Sequence, residues 1–579
     1  MRLRWLIRTV AAVSVAGLVA AACSSSSSTG NPASPSANQP VQGGKIVLGA
    51  EQYPECINVI TQCASASWLY WSATQYVMPR AMQLTLQGTF DKSPMLTEAP
   101  TLANGGLTQN PFTVKFKINP AAKWADGTPI TCDDFEFTRN AIINTAGTYG
   151  TAGYDSIDKI DCSDESVAVL NYKVVYVDWQ DVFGGATGVV IEKAAFPNEN
   201  TQDKVDLSKE MQDSIPFSGG PWKLQSWSKD QTVLVRNDAY WGHKPYLDQV
   251  TIVPRTDPAT EINSLLSGDV SAIFPQPGTT SFVQQFAAVP AIKFKADPGT
   301  VFYEALWMNV GKFPFNDKAV RNALFWAVDR QAVVDGLIKK NNPNASVLGC
   351  GMIAFPGVGP WCEGPNATPF AQFHFDANMV AQILTADGWA KDAAGFWAKG
   401  GKELAFTYDT TMKDRRIATQ ALLKEKFAEA GFKVTLKVDD ATLLFETKLP
   451  KGDFQLADFA NGGSVDPSAT SNFACRNIPT AANGFAGAND YRWCDPAADA
   501  LMDQSDIELD VTKRAQELQQ LYAIEAADFA PAVPLYTLPQ ITAWRSDKIA
   551  GPVGAWNNTF YSGFWNIDEW YCAKAGACT

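Results

Sequence analysis

The chain has 579 residues, of which 46% are hydrophobic and 11% aromatic, and it carries a formal net charge of −13. Such a length implies several domain-sized units, and an acidic chain without a basic cluster excludes nucleic acid and an anionic bilayer as direct partners. With two histidines, His243 and His374, and no CxxC, HExxH, GxSxG, Walker loop or GxGxxG, the expectation is no metal, no cofactor and no enzyme.

The chain begins MRLRWLIR, with Arg2, Arg4 and Arg8 ahead of an apolar run from Thr9 to Ala22 that ends in small residues. This is the pattern of a secretory signal over residues 1–22, too short for a stable membrane span. Val19, Ala20, Ala21, Ala22 and Cys23 resemble a bacterial lipobox, with Ala20 where leucine is usual. The resemblance implies cleavage before Cys23 and its lipidation; ordinary cleavage leaving a spare thiol is the competing reading. Residues 23–40 are rich in serine and proline and read as a flexible tether behind the anchor. Eleven cysteines are present, and setting Cys23 aside leaves ten in neighbouring positions: Cys56 and Cys63, Cys132 and Cys162, Cys350 and Cys362, Cys475 and Cys494, Cys572 and Cys578. Five local disulfides suit an oxidising compartment, although crossed pairing stays open.

Past residue 41, strands and helices interleave. Phe112, Val114, Phe116 and Ile118 alternate with polar residues as a strand with one buried face. Lys45–Ala50, Ser166–Leu170, Val233–Arg236 and Val250–Pro254 read as further strands. Val320, Leu324 and Val328, then Val511, Ala515, Leu518, Tyr522 and Ala526, follow helical spacing. The mixture predicts an α/β or α+β architecture.

Several segments carry a family resemblance. WADGTPITCDDFEFT from Trp124 combines an Asp126–Gly127 turn with a Thr131 cap and Asp134 three residues on. SGGPWKL follows at Ser218, LVRNDAYWGHKPYLDQV at Leu234, LLSGDV at Leu265 and FYEALWMNVGKFPFNDKAVRNALFWAVDR at Phe302. Together, over roughly Lys45 to Trp565, they resemble the solute-binding proteins of ABC importers, in the peptide and nickel class. The resemblance implies a two-lobed α/β Venus flytrap with two hinge crossovers, near Ala305–Val310 and Val533–Thr537. Lobe I would take residues 41–300 and 536–579, with an extra subdomain over roughly 60–200, and lobe II residues 301–535. The implied function is capture of a small solute, peptide or peptide-like, by a monomer lipid-anchored at the outer face of the cell membrane, for delivery to a permease and ATPase complex.

Ligand residues are less legible. Peptide-binding members carry an acidic residue for the peptide ammonium in a segment that corresponds here to Gly452–Phe473. Its ends match, through Asp453, Phe454, Asp466 and Pro467, but Asn461, Gly462 and Gly463 occupy the centre. A neutral loop cannot pair a buried ammonium; Asp458 or Asp466 could substitute only after a register change. Blocked peptides, sugars and other neutral solutes are therefore credible. The candidate ligand residues are Glu51, Tyr53, Trp68, Trp71, Trp307, Asn309, Phe459, Asn461 and Asp466, although the i, i+3 spacing of Trp68 and Trp71 reads rather more readily as the buried face of a helix. An exported glycan or peptide hydrolase and a surface sensor are the rival functions.

Overall fold

Three parallel neighbours seed the first sheet: Lys45–Ala50 lies between Gln249–Pro254 and Ala272–Ile273, with Leu48 opposite both Ile252 and Ala272. Antiparallel strands extend it to seven, in the order Ile292–Asp297, Gln540–Arg545, Ala272–Ile273, Lys45–Ala50, Gln249–Pro254, Gln231–Arg236 and Trp222–Ser228. The computed structural model describes residues 39–579, apart from 51–53, 55, 62–63, 65–75, 86–88, 149–150, 186–187, 200, 202–203, 276–281, 298–301, 352–358, 365, 441–442, 463–466, 484, 486, 539, 556–562 and 579.

A four-stranded sheet stands beside the first, in the order Leu107–Gln109, Phe112–Lys117, Val167–Tyr172, Ile157–Asp161. Its central strand buries Phe112, Val114 and Phe116, as the alternation requires. The helix Cys132–Asn144 packs on it, and the expected capping box forms: the Thr131 amide donates to Asp134 Oδ2 at 2.9 Å. A single apolar core, from Leu48 and Leu234 through Trp222 to Phe116 and Phe135, joins both sheets.

The second body is a five-stranded sheet, ordered Lys433–Asp439, Ala405–Thr411, Leu456–Gly462, Phe302–Met308, Ala532–Thr537. Helices Lys318–Ala327, Asp414–Ala430 and Val511–Asp528 flank it and bury their apolar stripes in a separate core around Trp307, Phe325, Tyr408, Phe427 and Leu521. Of the predicted helical spacings, Val320 and Leu324 fall inside the first of these helices with Val328 just past its end as the C-cap, and Val511 to Ala526 fall inside the last.

The two bodies are joined by two adjacent passages. Asp297 pairs with Gln540 at the edge of the seven-stranded sheet, and Tyr303 pairs with Thr537 in the five-stranded one. The chain therefore passes from one body to the other between Asp297 and Phe302 and returns between Thr537 and Gln540, and the Leu538 amide donates to the Phe302 carbonyl at 2.7 Å. This corrects the expected crossing positions. Ala305–Met308 and Val533–Thr537 are buried strand within the five-stranded sheet, because a run of apolar residues marks a buried strand rather than a solvated hinge. Tyr536 and Thr537 accordingly belong with the second body.

Disulfides join Cys132–Cys162, Cys350–Cys362, Cys475–Cys494 and Cys572–Cys578, with Cα separations of 4.7 to 5.7 Å. Cys56 is also disulfide-bonded, and Cys63 lies outside the described residues. Each loop staple is worth about 2–4 kcal/mol by restricting the unfolded chain. Among the described residues no helix is long and apolar enough to cross a membrane.

Candidate functional site

In the five-stranded sheet the parallel strands Ala405–Thr411, Lys433–Asp439 and Leu456–Gly462 end at the edge where Phe302–Met308 begins. In the seven-stranded sheet Lys45–Ala50, Gln249–Pro254 and Ala272–Ile273 end at the edge where Gln540–Arg545 begins. Both sets of carboxyl ends thus converge on the two passages. Open α/β sheets bind ligands beyond such carboxyl ends, which puts the candidate site between the bodies at the hinge.

The second body lines its side with aromatic rings. Along Phe302–Met308 and Leu456–Gly462, Tyr303, Trp307, Phe459 and Asn461 project to one face, since alternate residues share a face. Trp307 stacks on Tyr491, with centroids 4.4 Å apart at 17°, and on Phe459 at 5.4 Å. Phe445, 38% exposed, meets Phe459 edge-on at 5.3 Å. Asn461 lies beside the hydroxyls of both Tyr303 and Tyr491, and burial pushes both phenols well above their usual range. The rings of Tyr303, Trp307, Phe459 and Tyr491 are buried, so this face presents the part-buried Asn461 and the exposed Phe445 outward.

The other face of the same strands is ionic. Glu304, fully buried, pairs with Arg415 and lies 3.1 Å from Arg416. Burial would raise its carboxyl, but Arg416 and Arg415 hold it at about 2. Asp458 beside it is pushed well up, first by burial and then by the Glu304 charge, and it accepts from Tyr408 at 3.2 Å. Arg416 also donates to Thr411 Oγ1 at 2.6 Å, which ties the start of the helix Asp414–Ala430 to the sheet. Sequence reasoning passed over this cluster. Its signal was Glu304 standing alone in the apolar strand FYEALWM, with Arg415 and Arg416 just after a strand.

Of the predicted ligand residues, Phe459 and Asn461 come together at the carboxyl edge. Trp307 joins them only from beneath: it is fully buried, and its indole N–H donates to the Phe459 carbonyl at 3.0 Å. Asn309 does not join them. It follows the end of Phe302–Met308 farthest from the passages, about 20 Å along a seven-residue strand. There its amide donates to the carbonyls of Gly452 at 3.0 Å and Phe454 at 3.3 Å and accepts from the Gly311 amide, so it clamps a loop. The substitution of Asp458 for the missing acid is likewise overturned, because its carboxyl is buried on the opposite face beside Glu304. Glu51, Tyr53, Trp68, Trp71 and Asp466 lie outside the described residues; Glu51 directly follows the strand Lys45–Ala50.

A further contact spans the bodies. Arg514 of the helix Val511–Asp528 approaches Asp178 at 3.4 Å, donates to the Pro467 carbonyl at 2.9 Å and lies 5.4 Å from the Trp361 ring centroid. Among the described residues one trio, Asp133, Glu136 and Cys162, has spacing suited to a metal, but Cys162 is disulfide-bonded and Asp133 pairs with Lys193 at 2.9 Å.

Comparison with known proteins agrees with this geometry. The chain is 24% identical over 581 residues to the oligopeptide-binding protein AppA of Bacillus subtilis strain 168, covering 97% of each. Its fold matches the periplasmic EDTA-binding protein EppA with a TM-score of 0.80 at 20% identity, over 93% of this chain and 98% of that one. AppA from Bacillus subtilis in complex with a nonapeptide matches at 0.69 and 21% identity, over 93% and 100%. The two sheets joined by paired passages are therefore the two lobes of a periplasmic-binding-protein fold. The profile of the bacterial extracellular solute-binding proteins, family 5 Middle, matches residues 97–477, and the chain belongs to that family.

Proposed function

We propose that this protein is the extracytoplasmic binding component of an ABC importer and captures a peptide-like solute lacking a free N-terminal ammonium. The observation that carries the ligand class is the neutral strand end. Asn461 and Gly462 stand at the strand end, where the resemblance to peptide-binding members implies an acid, and the nearest carboxyl on the strand, Asp458, is buried on the opposite face. An ammonium placed there would be desolvated without a partner, at a cost of several kcal/mol. Aromatic rings and amide groups suit an uncharged, partly apolar solute. A neutral oligosaccharide is the second reading, favoured by the same rings.

On this reading residues 41–300 and 538–579 form lobe I and 301–537 lobe II, and solute touching both favours the closed form by its differential affinity. The protein acts by binding without turnover, as a monomer held by a lipidated Cys23 behind the 23–40 tether. Native mass spectrometry of protein taken from its own cells should show one small molecule per chain. Matched peptides with free and acetylated N-termini, titrated by calorimetry, test the class: tighter binding of the free forms would refute it.

A further inference from the structure

A pocket of about 270 Å³ lies wholly within lobe I, where the turn after Trp124, the segment after Ile191 and the SGGPWKL segment meet. Its walls are mainly apolar, with Ala125, Ala195, Ile215, Phe217 and Leu224 among them. Hydrogen bonds fix these walls in place. The Ala125 amide donates to the Ser218 carbonyl at 2.7 Å, which ties the first turn to the third segment. The Lys193 amide donates to Asp134 Oδ1 at 2.9 Å, which holds the middle segment against the start of the helix Cys132–Asn144.

Glu192 is the carboxylate of this wall that nothing answers. It is only 6% exposed, yet its oxygens are not sealed from water, and the little surface it keeps opens on the pocket. Among the described residues no group donates to its carboxylate and no cation pairs with it; burial first, then the like charges of Asp126 and Asp134, push it up to about 7. Both acidic neighbours already have donors. Asp126 Oδ1 accepts from the Thr128 amide at 2.8 Å and hydroxyl at 2.7 Å. Asp134 accepts from the amides of Thr131 and Lys193, both at 2.9 Å, and from the Trp124 indole at 3.2 Å. Lys223, the one cation among the lining residues, acts on Asp238 instead.

A buried carboxylate without donors favours an occupant that brings both donors and positive charge. A primary ammonium brings three donors, and its alkyl stem lies along apolar wall. A hydroxyl brings one donor and no charge. A divalent cation wants about six oxygens, and among the described residues no third acid, histidine or cysteine stands within ligating reach of Glu192 and Asp126. We propose that this pocket is an accessory site on lobe I for a short-chain primary alkylammonium, separate from the cleft. Glu192 receives the ammonium, Asp126 adds attraction from the exposed side, and Ile215, Phe217 and Leu224 cover the stem. The volume lies at the small end of ligand sites, which suits a stem of a few carbons.

The test titrates the full chain with n-butylammonium, read by calorimetry and saturation-transfer NMR, with n-butanol and butyrate as neutral and anionic controls. The ammonium should bind 1:1 at millimolar concentration, and Glu192→Gln should weaken it by about tenfold or more. Asp126→Asn, at an exposed charge, should weaken it by about threefold. Affinity should rise from about pH 6 to about pH 8, because the occupant stays protonated while Glu192 gives up its proton. Circular dichroism of both variants checks that they fold, and Phe445→Ala in the cleft should leave the affinity unchanged. Absence of saturable binding overturns the proposal, as does binding kept in Glu192→Gln or matched by n-butanol. Binding lost in Phe445→Ala would move the amine into the cleft and leave the cleft's own function intact. The tripeptide Gly-Lys-Gly offers the same ammonium on a peptide; tighter binding of it than of n-butylammonium would assign the pocket to a partner's lysine and overturn the free amine.

Discussion

The two faces of the central strands in lobe II hold opposite chemistry a few ångströms apart. On one face Tyr303, Trp307 and Phe459 form a buried aromatic layer, with Asn461 part-buried at the strand end. On the other, Glu304, Asp458, Arg415 and Arg416 form a buried ionic cluster beneath the helix Asp414–Ala430. Charge here fixes a helix to a sheet just inside the hinge, and the aromatic face of the same strands is left without it. A buried ion pair is costly to assemble and more costly to half-remove, so this face holds its geometry firmly.

The largest effects come from breaking either face at its centre. Trp307→Ala should cost about 3–5 kcal/mol in urea unfolding, because it empties a fully buried site stacked on two rings. Glu304→Gln should cost a similar 3–5 kcal/mol by stranding two guanidiniums. The two differ in their response to acid. Glu304 sits at about 2 when folded against an ordinary 4.5, so the folded state binds its proton more weakly than the unfolded chain. Its stabilisation is present above pH 4.5 and is lost as pH falls toward 2, and that part of the acid transition should vanish in Glu304→Gln but persist in Trp307→Ala. Equal acid profiles for the two variants would separate Glu304 from the cluster assigned to it.

A smaller effect tests the neutral face directly. Asn461→Asp restores a carboxylate at the strand end and should shift preference toward peptides with a free N-terminus by about tenfold, measured as the ratio of affinities for free and acetylated forms. An unchanged ratio would mean that the solute does not place its terminus there. Phe445→Ala, at a partly exposed ring, should weaken solute binding while costing only about 0.5–1.5 kcal/mol of stability from the lost edge-on pair with Phe459.

The fold was legible because it rests on local pattern. The Phe112–Lys117 alternation and the Thr131 and Asp134 cap both follow from a few adjacent residues. The crossings were misplaced because apolar runs such as Ala305–Met308 look alike whether they bridge lobes or fill a sheet; only the pairing of Asp297 with Gln540 and Tyr303 with Thr537 separates them. Asn309 was misread for a related reason. An amide next to an aromatic strand suggests ligand contact, but which end of the strand meets the cleft depends on the direction of its neighbours. The ionic cluster gathers residues up to 154 positions apart along Glu304, Arg415 and Asp458, a convergence that no local pattern encodes.

The Arg514–Asp178 pair should give the smallest change in stability and a distinct change in shape. Asp178 is 22% exposed, so Asp178→Asn should cost no more than about 1 kcal/mol in unfolding. Arg514 keeps its Pro467 carbonyl and its place against the Trp361 ring, and its own lobe holds it without the aspartate. What the variant removes is a contact between lobes. If closure is a balance between states differing by a few kcal/mol, even this modest loss moves the solute-free population toward the open form. Small-angle scattering should then show a larger radius of gyration for Asp178→Asn without solute and recovery of the wild-type value at saturation. An unchanged radius would assign the pair to local packing and leave closure to the solute alone.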